Sequence, residues 1–222
     1  MTPSHTPPSN PYLPVFIDFS DKSVVIFGGG AVGERKARRF LQKAFVTVIS
    51  RGLTPDLEKY AAEGQIQFIS QDISELSVSD IQNLIADAFL VIPATSDAGL
   101  NQKIAETAKS MRLLVNAAQD ADEVILPSFI ERGGLLVAIS SGGGSPAVTK
   151  FARMKIETVI DDNFEKMIQL QNEIREHLKT AISDQKERQE ILWAVMDDEE
   201  IWNLLSKDFE KAKEKALLKA RL

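Results

Sequence analysis

Short apolar runs separated by amphipathic stretches set the rhythm of the first half of the chain. Val24-Val25-Ile26-Phe27 is continuously apolar, which predicts a strand buried on both faces of a parallel sheet. Phe45–Ile49, Ile66–Ile69, Ala88–Ile92 and Leu113–Val115 repeat the pattern. Between them, Val32, Ala37, Phe40 and Leu41 fall on one side of a helix, and Leu100 to Met111 reads as another. Thr54 and Pro55 supply an N-cap and a first-turn proline for a helix that Gly64 can end, and Ile73–Ala86 reads as a polar crossover. Leu13 to Phe19 alternates loosely, as an edge strand would. This alternation of strands and helices predicts an α/β fold with a Rossmann-like, doubly wound parallel sheet.

Beyond Asn116 the pattern changes. Val124–Leu126 and Leu135–Ser140 are short β runs joined through Pro127 and the turn Arg132-Gly133-Gly134, which predicts a small antiparallel unit. From Ala147 onward the spacing is helical: Val148, Ala152, Ile156 and Val159 form one stripe, and Phe164, Met167, Ile168, Ile174, Leu178 and Ile182 another. Asp184 with Glu187, and Asp197 with Glu200, resemble capping boxes, and Trp193 and Trp202 read as core anchors. The expected layout is a disordered tail at 1–12, a Rossmann-like domain at 13–116, a central β segment at 117–146 and a helical domain at 147–222.

Composition narrows the function classes. The 222 residues are 44% hydrophobic and 26% charged, an ordinary globular balance. Cysteine is absent, which excludes disulfides, thiolate metal sites and cysteine nucleophiles. A net charge of −6 disfavours nucleic acid as a partner. His5 and His177 are the only histidines, so no multi-histidine metal site is expected. No apolar run reaches membrane-spanning length and no secretory signal is visible, so a cytoplasmic protein without membrane partners is expected.

The chemistry concentrates after the first strand, where Gly28, Gly30 and Gly33 fit G-x-G-x-x-G around Ala31 and Val32. In a strand–turn–helix context the first glycine permits the tight turn, the second lets backbone approach a pyrophosphate, and the third lets helix pack on strand. Helix-start amides then face the phosphates. The strand ends place Ala94, Thr95 and Asn116 on the same rim. About 20 residues beyond the glycines an NAD site usually carries an acid. Here the second strand ends Ser50-Arg51, where Ser50 can bond a ribose and Arg51 suits the 2′-phosphate of NADP. Ser141-Gly142-Gly143-Gly144-Ser145-Pro146 is either a second anion-receiving helix start or a flexible connector with an ordinary cap.

A specific constellation accompanies that loop: GGGAVGERKARRFL at 28–41, IPATSDAGLNQKIA at 92–105, VNAA at 115–118 and ILPSFIERGGLLVAISSGGGSPAVTKFAR at 125–153, then a helical tail. Together these resemble the siroheme-synthase family, the precorrin-2 dehydrogenases, some of which are also sirohydrochlorin ferrochelatases. The resemblance implies an N-terminal NAD domain, pairing of two subunits through the central segment, and oxidation of precorrin-2 with hydride passing to NAD. In some relatives ferrous iron is then inserted as a substrate. A macrocycle edged with carboxylates needs cations, for which Arg35, Lys36, Arg38, Arg132, Lys150 and Arg153 are candidates, with Ser141 beside them. The family's aspartate after V-N-x-x is replaced by Gln119; Asp120, then Asp122, are the candidates for its acid–base role. The resemblance favours NAD over NADP. Two other readings stay open: a non-catalytic NAD(H)-sensing module, and a chelatase that has lost oxidation.

Overall fold

The computed structural model describes residues 12–117 and 123–221. The expected tail at 1–12 therefore lies outside it except for Tyr12, and Asp120 and Asp122 lie outside it altogether. The chain divides into two compact units, residues 1–126 and 127–222.

Among the described residues the first unit is built on five parallel strands: β1 (Ser23–Phe27), β2 (Phe45–Ser50), β3 (Gln67–Ser70), β4 (Leu90–Pro93) and β5 (Leu114–Val115). Their spatial order is β3-β2-β1-β4-β5. The continuous apolar run of β1 has the expected cause. Val24 and Ile26 enter one core cluster with Val46, Val48, Leu90 and Ile92, while Val25 and Phe27 enter the other with Ile49 and Val91. Successive side chains point to opposite faces, and here both faces are covered. The helices are α1 (Ala31–Ala37), α2 (Pro55–Ala62), α3 (Val78–Leu84) and α4 (Ala98–Ser110), with a 3-10 turn at Ile73–Glu75. Thr54 caps α2 by accepting from Leu57 N, with Pro55 in its first turn, and Gly64 follows at φ +71°.

Three expectations fail here. Leu13 to Phe19 forms no strand. Leu13, Val15 and Phe16 are exposed, and the segment is tied down by Phe19, whose ring lies 5.3 Å from Phe40 and 5.5 Å from Phe89. Val32 is 39% exposed at the rim rather than part of the buried apolar side, which Ala37 of α1 and Phe40, just beyond its end, supply. Val124–Leu126 forms no strand either; Val124 and Leu126 pack as irregular chain against one sheet face.

In the second unit, β6 (Ser128–Arg132) and β7 (Leu135–Ile139) form an antiparallel hairpin. Two glycines close it, Gly133 at φ +57° supplying the left-handed backbone that such turns need. Among the described residues five helices follow: α5 (Pro146–Glu157), α6 (Asn163–Ala181), α7 (Gln185–Met196), α8 (Glu199–Leu205) and α9 (Phe209–Lys219). Met167, Leu170, Ile174 and Leu178 of α6 bury their stripe among Val195, Ile201, Leu205, Ala212 and Ala216. Ser145 caps α5 as expected, and Asp184 caps α7 by accepting from Glu187 N, without the return bond from Glu187 that a capping box would add. The cap of α8 is Asp198 and not Asp197, because Asp197 still closes α7. Trp202 joins the core and donates its indole N–H to Met196 O, but Trp193 is 72% exposed and lies outside that core. The stripe expected on α5 also stays in view: Val148 is 61% and Val159, beyond its end, 69% exposed.

Candidate dinucleotide site

The strand order reverses direction at β1, since β2 and β3 lie to one side of it and β4 and β5 to the other. A doubly wound sheet opens a crevice at the carboxyl end of that switch point. The glycine loop leaves β1 there. Gly28 adopts φ +122°, and its amide donates to Ile49 O at 2.9 Å. A Cβ at Gly28 would drive into the carbonyl of Ala94, the first residue after β4. At Gly33 a Cβ would collide with the carbonyl oxygen of Gly28, so the first turn of α1 lies flat on the loop that starts it. At Gly30 a Cβ would meet nothing within 4 Å. The middle glycine thus faces open space while its neighbours are clamped, which is the cradle a pyrophosphate requires.

Around that opening the donors are free. The first-turn amides of a helix have no carbonyl one turn back, and Ala31, Val32 and Gly33 donate to no acceptor among the described residues. Gly30 itself caps the helix without a side chain that could occupy those amides. The loop therefore fits a dinucleotide pyrophosphate.

The second wall is the turn after β4. Ala94 N donates to Phe27 O at 2.8 Å, tying the ends of β4 and β1 together. Thr95 is held by Asn101, a residue that sequence patterning passes over. Asn101 Oδ1 accepts from Thr95 N at 3.0 Å and Thr95 Oγ1 at 2.8 Å, and Nδ2 donates to Thr95 O at 2.9 Å. Asp97 caps α4 through Leu100 N. Asn116 is 4% exposed, and both ends of its amide are engaged. Lys36 donates to its Oδ1, while its Nδ2 donates to Val124 O at 2.7 Å. What Asn116 brings to the rim is a fastened strand end.

Ser50 ends β2 half-buried, and its carbonyl accepts from Gln71 N at 3.0 Å. Arg51 is 78% exposed, with Nη1 3.4 Å from Asp72 Oδ2. Asp72 lies just beyond β3. Its pairing with Arg51 joins residues 21 positions apart, so no local pattern announces it.

Most of the cations suggested for the substrate have protein partners. Arg38 pairs with Glu34 at 2.7 Å and with Asp56. Lys36 is spent on Asn116. Arg132 Nε lies 3.0 Å from Asp162 Oδ1, an ion pair too poorly angled to be a hydrogen bond, and Nη1 donates to Glu131 O. Arg153 pairs with Glu157 one turn on. Arg35 and Lys150 are exposed and form no ion pair among the described residues. Arg39, which the sequence did not single out, is half-buried beside Arg35; burial, then that neighbour, depresses its pKa. Ser141 accepts from Ser145 N at 2.9 Å and from Thr149 Oγ1 at 3.0 Å, knitting the loop ahead of α5. Arg132, Ser141, Lys150 and Arg153 all belong to the second unit.

A family model described as "Putative NAD(P)-binding" matches residues 15–128, which span the sheet and the glycine loop. The chain is similar to precorrin-2 dehydrogenase of Methanosarcina barkeri, at 43% identity over 94% of this chain and 93% of that protein. It is also similar to the siroheme synthase of Actinobacillus pleuropneumoniae, at 31% identity over 95% of this chain but 42% of that longer one. Among solved structures, the precorrin-2 dehydrogenase SirC matches with a TM-score of 0.73 at 25% identity, over 92% of this chain and 100% of its own. A switch-point glycine cradle, a shared fold and near full-length identity converge: the chain belongs to the precorrin-2 dehydrogenase family.

Proposed function

We propose that this protein oxidises precorrin-2 to sirohydrochlorin, with NAD⁺ taking the hydride. One juxtaposition carries the reading: the open glycine cradle abuts the Ala94 turn at the switch point, in a chain 43% identical to a precorrin-2 dehydrogenase along almost its whole length. The oxidation removes two electrons and two protons from the macrocycle, one proton leaving with the electron pair as hydride and the other going to a base or to solvent. Bound, the nicotinamide ring supplies the hydride acceptor.

The chain's own residues do the rest by positioning. The amides of Ala31 to Gly33 receive the pyrophosphate, and the Thr95–Asn101 lock keeps the opposite wall in place. Each unit offers one exposed cation that forms no ion pair among the described residues, Arg35 in the first and Lys150 in the second, and these are the proposed partners for acetate and propionate groups of the substrate. Asp120, with Asp122 second, is the proposed proton acceptor. Insertion of ferrous iron is read in the same assay by adding the metal after oxidation is complete.

The experiment compares wild type, Asp120→Ala and Asp122→Ala for reduced cofactor formed from precorrin-2 and NAD⁺. Cofactor-dependent conversion by wild type, slowed at least tenfold by Asp120→Ala, supports the assignment. Wild-type rates in both variants would remove these carboxylates from the reaction.

The protein is further proposed to act as a cytoplasmic homodimer. Val148 and Phe151 on α5, with Phe129 and Leu136 on the hairpin, leave apolar side chains 40% to 62% exposed within one unit. Exposed apolar side chains of this kind are what a subunit interface buries.

A further inference from the structure

We propose that Asp72, acting with Arg51, makes the choice between NAD and NADP. The inference rests on the reading above that the glycine loop holds a nicotinamide dinucleotide.

β2 and β3 run in parallel with Ser50 opposite Ser70, and Gln71 N donates to Ser50 O at 3.0 Å. The chain segments leaving the two strands therefore emerge side by side on the cofactor rim. Ser50 borders the glycine turn: its Cβ is 3.1 Å from where a Cβ on Gly29 would stand. In this architecture the residues at the end of β2 meet the adenine ribose, where an acid binds the 2′-hydroxyl of NAD and an arginine the 2′-phosphate of NADP. Ser50-Arg51 alone describes an NADP site.

The fold adds the acid from the next strand. Arg51 Nη1 lies 3.4 Å from Asp72 Oδ2, yet the arginine side chain is 78% exposed and the aspartate 29%. An ion pair this open to water restrains a long side chain weakly. The aspartate is restrained by something else. Its Oδ1 accepts from Ser74 Oγ at 2.6 Å and from Ser74 N at 3.0 Å. These bonds, with the arginine beside it, hold its pKa below the ordinary value. The rim thus carries an anion held in place by Ser74 and a cation held only by an open ion pair.

That asymmetry discriminates. A 2′-hydroxyl finds an acceptor in Asp72 and a donor in Arg51. A 2′-phosphate brings up to two negative charges against a fixed carboxylate, and the arginine that would neutralise them is shared with that carboxylate. Specificity here comes from a repulsive element as much as from an attractive one.

Equilibrium dissociation constants for NAD⁺ and NADP⁺, measured by calorimetry on the full chain, test the proposal. Wild type is expected to prefer NAD⁺. Asp72→Asn keeps an oxygen for Ser74 but loses the charge, and should shift the NADP/NAD preference toward NADP by on the order of tenfold. Asp72→Ser, which also keeps a capping oxygen, should shift it the same way, and Arg51→Gln the opposite way. Tighter binding of NADP⁺ by wild type, or a preference unchanged within about twofold in both Asp72 variants, would overturn the proposal. If wild type bound neither dinucleotide, the reading of the glycine loop would fall first. Binding of NAD⁺ with no effect at Asp72 would sink the selectivity role alone.

Discussion

Asn101 grips Thr95 by three hydrogen bonds, two accepted at Oδ1 and one donated from Nδ2, all between 2.8 and 3.0 Å. One side chain on α4 thereby fixes the backbone that leaves β4, including the Ala94 carbonyl against which Gly28 is pressed. The cofactor crevice owes one of its two walls to a residue that need not touch the cofactor.

Asn101→Ala should weaken NAD⁺ binding about tenfold and cost about 1–2 kcal/mol of stability, because Thr95 loses its partners in a half-buried turn. Asn101→Asp keeps the acceptor and should recover most of the affinity. Calorimetric titration beside thermal melts separates the two effects; equal loss in both variants would argue against the acceptor role.

Gly33→Ala should be worse than its single methyl suggests. The added carbon collides with the Gly28 carbonyl, which is backbone and cannot rotate aside. Either α1 lifts off the loop or the loop opens. The expected cost is about 1–3 kcal/mol with at least a tenfold loss of NAD⁺ affinity, whereas Gly30→Ala, placed in open space, should keep the stability and lose only the cofactor. A stable Gly33→Ala protein with unchanged affinity would contradict the close approach.

The helical unit should lose stability in acid through identifiable carboxylates. Asp198 caps α8 and reaches Lys219 at the end of α9 at 2.5 Å; that bond, with the α8 amides, holds its pKa below the ordinary value. A depressed pKa contributes stability above the unfolded pKa, about 4, and loses it as pH falls through the folded value. Asp198→Asn keeps the cap and removes the charge. It should lower stability by about 0.5–1 kcal/mol at pH 7, with the gap to wild type closing below about pH 4. Denaturant melts across that range check it.

Phe151→Glu should shift the proposed dimer toward monomer. Phe151 is 62% exposed on α5, next to Val148 at 61%, so the substitution costs the isolated chain little and places a charge in any apolar interface. Sedimentation of wild type and variant at equal concentration reads the outcome directly.

What could be read without the fold was what the chain encodes locally. The β1 run and the glycine spacing sit within a dozen residues, and both are where the pattern puts them. The Thr54, Ser145 and Asp184 caps are equally local. Failures came where burial is decided at a distance. Val124 and Leu126 are apolar because one sheet face covers them, not because they pair as a strand. Trp193 and Trp202 look alike in sequence, yet only Trp202 finds Met196 O and the helix core. The partners that retire Arg38, Arg132 and Arg153 from the free cations lie up to thirty positions away, and the Arg51–Asp72 pair appears only once β3 is set beside β2.

The central claim is that hydride leaves precorrin-2 for a dinucleotide held by the Gly28–Gly33 cradle. Anaerobic incubation of the purified protein with precorrin-2 and limiting NAD⁺ tests it most directly. Sirohydrochlorin and reduced cofactor should form in equal amounts, and product should stop when NAD⁺ is exhausted. Sirohydrochlorin formed without NAD⁺ above the protein-free rate, or none formed by a folded protein saturated with it, would contradict the account.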